Sequence, residues 1–363
     1  MALSDPAFPP GTWIISRTQD LTWFWGSALV GLGAGALVLL APWLALPLFC
    51  AWMVGVDGPH FWATWTRSVW DPAERARRGA LVAGSFLIFL PGFAAWAVAR
   101  ATGADVVWIG FLLLAAVWAY HHGVRQDFGI WSLYARRAGL SVRERTVDAW
   151  FLYGARWGLF AWFSLAHPLS RAELEAAGLA WISAPVGWAV LAWMVAFPVV
   201  LAVRYAKGRP VLPGLFILLP CIGYQAVGFA VIGLAEPLVP GFSNVEQAFA
   251  VLALSNGVAH GLQYLGLVAW AGKNRHPRGG PSLSARLSAR PGRAWLVYVA
   301  LSVPYLAVNL LRTAAPGVHI AGPTVEGLAL CVYWGFVLHH YLLDQYIWRP
   351  HADPILRAEL RVA

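Results

Sequence analysis

Ten runs of about 20 predominantly apolar residues, each long enough to cross a bilayer as a helix, occupy most of this chain. They lie at about 21–40, 43–66, 79–101, 105–134, 149–168, 184–206, 211–235, 246–272, 294–312 and 324–348. The first two form a hairpin that turns near Ala41-Pro42. Charged residues make up only 12% of the sequence, against about 25% in a soluble domain. No polar half remains that could fold separately in water. The expected fold class is therefore all-α: a polytopic integral membrane helix bundle of about ten transmembrane helices, forming a single membrane-embedded domain over 1–363.

The basic residues test this count through the positive-inside rule. Twenty-one of the 26 Lys and Arg fall in the tails and in the connections after segments 2, 4, 6 and 8. Only Arg100, Arg171 and Arg312 fall in the opposite connections. An error in the number of spans would scramble that asymmetry from the point of error onward. Both termini are expected to be cytoplasmic, in a bacterial-type inner (plasma) membrane. The net charge of +9 is accounted for by orientation, so no nucleic-acid partner is expected. The longest connection, 273–293, is basic and rich in Gly, Pro and Ser, and reads as a flexible cytoplasmic loop. The N-terminus lacks the basic, apolar and small-residue regions of a cleavable signal peptide. Cys50, Cys221 and Cys331 lie inside apolar runs without paired spacing, and read as packing residues. The 22 Trp residues suit membrane interfaces and apolar cavities.

Ionisable groups inside a membrane span are costly and tend to mark function. Four segments carry them in clusters. Segment 2 holds Asp57 and His60; segment 4 holds His121, His122, Arg125, Gln126 and Asp127. Segment 8 holds Asn256, His260, Gln263 and Tyr264; segment 10 holds His339, His340, Asp344 and Gln345. All four segments are even-numbered, so all run in one direction, with the cluster in the second half. The offsets to the next basic residue scatter over roughly 12 Å at the 1.5 Å rise of a helix. The clusters are thus expected to converge at one depth near the cytoplasmic face.

Spacing within each cluster suits a metal site. Asp57 and His60 are i, i+3 and share a face, which Thr64 continues four residues on. His122 and Gln126 are i, i+4, as are His340 and Asp344. A ligating histidine commonly gives its second N–H to a carboxylate or amide, a part open to Asp57, Asp127 and Asp344. Adjacent histidines point about 100° apart. One member of His121/His122 and of His339/His340 is therefore left for a supporting or structural role. His167 and His319 are expected outside, His276 in the basic loop and His351 in the tail. Arg156, early in segment 5, is expected to snorkel to the cytoplasmic interface. Arg125 is expected to pair with Asp127 or Asp344, or to meet a polar end of a substrate.

At these four segments the chain resembles the membrane β-carotene 15,15′-dioxygenases of the bacteriorhodopsin-related-protein type. The family's Pro-His-Gly block is similar to Gly58-Pro59-His60. Its second block resembles His121-His122-Gly123 with Asp127-Phe128, allowing one extra residue. Its third resembles His260 with Tyr264. Its last resembles His339, Asp344 and Trp348-Arg349-Pro350-His351. The resemblance implies non-haem iron, held by His60, His121 and His260, that cleaves a carotenoid with O2. Tyr264 stands where the family has a fourth iron-binding histidine. Either His339 or His340 completes the site, or the metal is held differently.

The expected activity is thus that of a membrane-embedded non-haem iron oxygenase. Its substrate would be lipid-soluble: a carotenoid, an apocarotenoid or another long hydrophobic chain. The candidate metal residues are His60, His121, His122, His260, His339 and His340, around one Fe(II) or two. Asp57, Asp127, Asp344 and Tyr264 are the candidate catalytic groups. The expected partners are the hydrophobic substrate, O2 and membrane lipid. Two other readings stay open: a dinuclear lipid hydroxylase or desaturase, and a non-enzymatic haem-binding or transport protein.

Overall fold

A long apolar run satisfies its backbone polar groups most simply as a helix, and the computed structural model has a helix at each of the ten predicted segments. It describes residues 11–232, 244–314 and 324–362. Residues 233–235 of segment 7, and His319, lie outside the described residues. The described residues are 86% helical, with no strand among them. Arg17–Leu40 (α1), Pro42–Arg67 (α2), Pro72–Thr102 (α3) and Asp105–Arg137 (α4) come first. Val142–Ala166 (α5), Pro168–Ala176 (α6), Ser183–Ala206 (α7), Leu212–Ile232 (α8) and Asn244–Arg275 (α9) follow. Leu283–Ala289 (α10), Pro291–Ala314 (α11), Val325–Ile347 (α12) and Pro354–Glu359 (α13) complete the order. Among the described residues, six helices are long and apolar enough to cross a membrane: α1 to α4, α7 with its leading 3-10 turn, and α11.

The chain divides into two compact units. The first comprises residues up to Phe49 together with Gly123–His260. In it α5 packs on α7 and α8, and α1 packs on α8. Phe151 and Phe197 stack with centroids 3.8 Å apart, and Tyr134 packs between Phe24 and Phe216. The fully buried Asp20 accepts from the N–H groups of Ile14 and Ile15 and from the Tyr134 hydroxyl. This ties the segment before α1 to α4.

The second unit comprises Cys50–His122 and the chain from Gly261 onward. Here α11 packs on α2 and α12, while α12 packs on α3. The basic segment 273–293, read from sequence as a loop, contains α10. Ser282 caps α10 by accepting from the Ala285 N–H, which satisfies an otherwise orphaned donor. Ser284, Ala285 and Leu287 are buried, and Leu287 joins Ala63, Tyr264, Val268 and Tyr298 in one apolar cluster.

Helix α13 is fastened by charge. Glu359 meets Arg67 at 2.5 Å and Arg275 at 2.7 Å; Arg275 also reaches Asp71 at 2.8 Å. Asp353 caps α13 through the N–H groups of Ile355 and Leu356. The guanidinium groups of Arg77 and Arg78 lie 2.6 and 2.7 Å from its carboxylate. Partial burial pushes the Asp353 carboxyl upward. The Arg77 hydrogen bond, the Leu356 N–H and the two arginine charges outweigh that and hold it down at about 2. A carboxylate depressed in the fold stabilises it above its ordinary value of 3.8, and that contribution is lost as pH falls toward 2. Pepsin cleavage within α13 should therefore rise between about pH 4 and pH 2. Asp353→Asn should already be cleaved readily at the upper end of that range. Equal cleavage of the two proteins throughout would contradict the assignment.

Candidate metal centre

The site in the second unit starts from an irregularity in α2. Met53–Asp57 forms a π-turn, a feature often found at functional positions. Pro59 supplies the reason, since it has no N–H to bond the Gly55 carbonyl. Trp295 Nε1 donates to that carbonyl instead, at 2.8 Å. Gly58 lets α11 come close: a Cβ there would clash with Ser302 Oγ. The loosened turn leaves the Asp57 carbonyl facing His60 Nδ1. The Nδ1–H donates there, and the lone pair is then on Nε2. The Asp57 carboxylate accepts from the Tyr305 hydroxyl at 2.8 Å.

His60 packs edge-on to His340 of α12, with ring centroids 4.5 Å apart. His122 of α4 approaches His340 from another side at 4.9 Å and stacks on Tyr341 at 4.1 Å. Asp344, one turn below His340, completes the group. Its Oδ2 lies 3.5 Å from His340 Nε2 and 3.8 Å from His122 Nε2. One donor atom from each of His122, His340 and Asp344 lies within 4.8 Å of the others. Two donors each about 2.1 Å from one ion can be at most about 4.2 Å apart. Both separations to Asp344 meet that limit, and with the third pair within 4.8 Å a modest inward shift would fit the set around a single ion. All four side chains are buried. Phe61 lies against His60 and His340, and with Tyr341 it makes the surroundings apolar.

The other Asp344 oxygen is held by hydroxyls. Tyr264 donates to Oδ1 at 2.7 Å, and Thr64 Oγ1 lies 3.3 Å from the same oxygen. Thr64 also contacts Tyr264 Oη and His340 Nδ1, each at 2.6 Å. Trp348 Nε1 donates to Tyr264 Oη at 3.2 Å.

The remaining candidates sit differently. His339 is fully buried, but both its nitrogens serve protein partners. Trp65 Nε1 donates to its Nδ1 at 3.3 Å, and its Nε2 pairs with Ser85 Oγ at 2.9 Å. Phe86, Phe89 and Trp65 surround the ring. His121 is only half-buried and points away from its neighbour by the helical step.

His260 and Asp127 belong to the first unit. The His260 carbonyl accepts from Gln126 Nε2 at 2.9 Å. Asp127 lies 3.8 Å from Arg156 Nη2. Arg156 also donates to Asn256 Oδ1 at 3.0 Å and lies over the Tyr224 ring at 4.3 Å. This corrects two expectations. Arg156 is 3% exposed and does not snorkel, because a carboxylate, an amide and an aromatic face within its own unit solvate it. Arg125 is exposed and donates to the Tyr153 hydroxyl at 2.8 Å; it does not pair with Asp127.

Thr64, Tyr305 and Tyr341 are site residues that sequence reasoning did not assign. Only Thr64 carried a signal, its i+4 spacing from His60. The class defined by this geometry is an all-helical protein with helices long and apolar enough to cross a membrane and a buried His/Asp cluster. No family model, no curated protein and no solved structure matches the chain.

Proposed function

We propose that this protein is a membrane-embedded non-haem iron oxygenase that acts with O2 on a lipid-soluble substrate, a carotenoid, apocarotenoid or other long hydrophobic chain. The observation that carries the reading is the convergence of His122, His340 and Asp344, with His60 against His340. Two imidazoles and one carboxylate are the donor set of the facial triad used by non-haem Fe(II) oxygenases, which leaves positions open for other ligands. The set carries one formal negative charge, so a divalent ion leaves only one net positive charge in a dry interior. Ten crossings with both ends cytoplasmic, in a bacterial-type inner membrane, complete the reading. The asymmetry of the basic residues supports them.

In this reading His122, His340 and Asp344 hold the ion, with His60 beside His340 as a further donor. When bound, iron supplies the redox chemistry that lets O2 react with an unsaturated hydrocarbon. Phe61 and Tyr341 keep bulk water from the donor atoms, which strengthens their interaction with a cation. The Asp57 carbonyl keeps the His60 proton on Nδ1, leaving Nε2 as the donor atom.

The test is metal analysis of detergent-purified protein, followed by incubation with a panel of carotenoids and polyunsaturated lipids under O2. About one iron per chain and O2-dependent consumption of a panel member are expected. No stoichiometric metal in the wild type would overturn the reading. So would unchanged metal content after His60→Ala combined with His122→Ala. A count of two metals per chain would transfer the assignment to a dinuclear hydroxylase. His260→Ala tests the sequence assignment of that residue separately.

A further inference from the structure

We infer that Thr64 and Tyr264 are positioning residues that set which nitrogen of His340 carries the proton, and so make its Nε2 a metal donor. The inference rests on the proposed metal site but concerns the hydrogen-bond order around it.

Four contacts join Trp348, Tyr264, Asp344, Thr64 and His340. The order of protons follows from counting donors. An indole N–H can only donate, so Trp348 donates to Tyr264 Oη. A bound cation keeps Asp344 ionised, and an ionised carboxylate can only accept, so with the site loaded the Tyr264 proton lies in the 2.7 Å contact to Asp344 Oδ1. Tyr264 has no second proton. The 2.6 Å contact between Thr64 and Tyr264 must then be made by the Thr64 proton. With that proton committed, Thr64 Oγ1 can only accept from His340 across their 2.6 Å contact. The His340 proton therefore sits on Nδ1. Its Nε2 holds a lone pair, 3.5 Å from Asp344 Oδ2. This order leaves only the longer separations from Thr64 and His340 to Asp344, 3.3 and 3.5 Å, without a proton. Any other order with Asp344 ionised leaves one of the three contacts of 2.6–2.7 Å with no proton. Such a contact costs about what a lost buried hydrogen bond costs.

A single hydroxyl pair thus performs two tasks. Tyr264 turns one Asp344 oxygen away, leaving the other to face the imidazoles. Thr64 relays the direction of that bond to His340.

Cobalt(II) titration of the purified protein, read by the visible absorption of the bound ion, tests this. Thr64→Val removes the acceptor for Nδ1–H, and should weaken binding about 10–100-fold, as loss of an outer hydrogen-bond partner does. Thr64→Ser should restore it. Tyr264→Phe keeps the ring but frees the Thr64 proton to turn toward His340. It should also weaken binding and shift the cobalt spectrum, which a packing role alone would not do. Nitrogen-15 NMR of histidine-labelled protein, with His340 assigned by its loss in His340→Ala, reads the tautomer directly. Nδ1–H is expected in wild type and Thr64→Ser, and its loss in Thr64→Val. An Nε2–H tautomer in the wild type would overturn the inference, as would wild-type cobalt binding by both Thr64→Val and Tyr264→Phe. Absence of cobalt binding in the wild type with the Nδ1–H tautomer present would sink the metal reading, while the hydrogen-bond order stands.

Discussion

His340→Ala is expected to abolish stoichiometric metal binding, with affinity falling at least about 100-fold, more than the loss of an outer partner costs. His340 meets His60 on one side and His122 on another, and faces Asp344, so its loss removes the group that the other three share. His339→Ala, one residue earlier, should behave oppositely. Its nitrogens are already committed to Trp65 and Ser85, so metal content should stay at the wild-type level. Stability should fall by on the order of 2–4 kcal/mol, from the cavity and the orphaned partners. Metal analysis and thermal unfolding in the same detergent separate the two outcomes. Equal metal loss in both variants would contradict the division of labour between the adjacent histidines.

Asp127→Ala should be among the most destabilising single changes in the first unit, at about 3–5 kcal/mol, because it strands a buried arginine. Arg156 is 3% exposed and its Nη2 lies 3.8 Å from Asp127. Asn256 and Tyr224 contact the same guanidinium, but neither carries the compensating charge. Replacing both partners, with Asp127→Ala and Arg156→Met, should recover much of the loss, since the isolated charge is then gone. The measurement is the midpoint of detergent-mediated or thermal unfolding. Metal content of any Asp127→Ala protein that folds should remain wild type. A selective loss of activity with unchanged stability would instead support a catalytic part for Asp127.

The helices were readable because a membrane span is a property of about 20 consecutive residues, and averaging over that length removes ambiguity. The π-turn before His60 was less so. Pro59 announces a missing donor, but whether the helix kinks or widens depends on Trp295 reaching the Gly55 carbonyl, a contact between distant parts of the chain. Spacing showed that His340 and Asp344 share a face, and the structure brings them together. It could not choose between His339 and His340, because that choice depends on Ser85 and Trp65, which no local rule links to α12. Arg156 was misread for a related reason. Its depth along α5 is visible in sequence, but the carboxylate that solvates it comes from α4. The α10 helix was hidden by composition, since a segment rich in Gly, Pro and Arg outweighed the Ser282 cap.

The widened turn at Met53–Asp57 accommodates one residue more than regular winding would. Removing one residue from this stretch would restore ordinary pitch and leave the helix on either side near its present rotation, because the wide turn already absorbs the extra residue. The Asp57 carbonyl would lose the loosened setting in which it accepts from the His60 Nδ1–H. A single-residue gap at this point should keep the helix aligned on both sides while costing the contact to His60, so a profile built to find distant relatives should allow for one here.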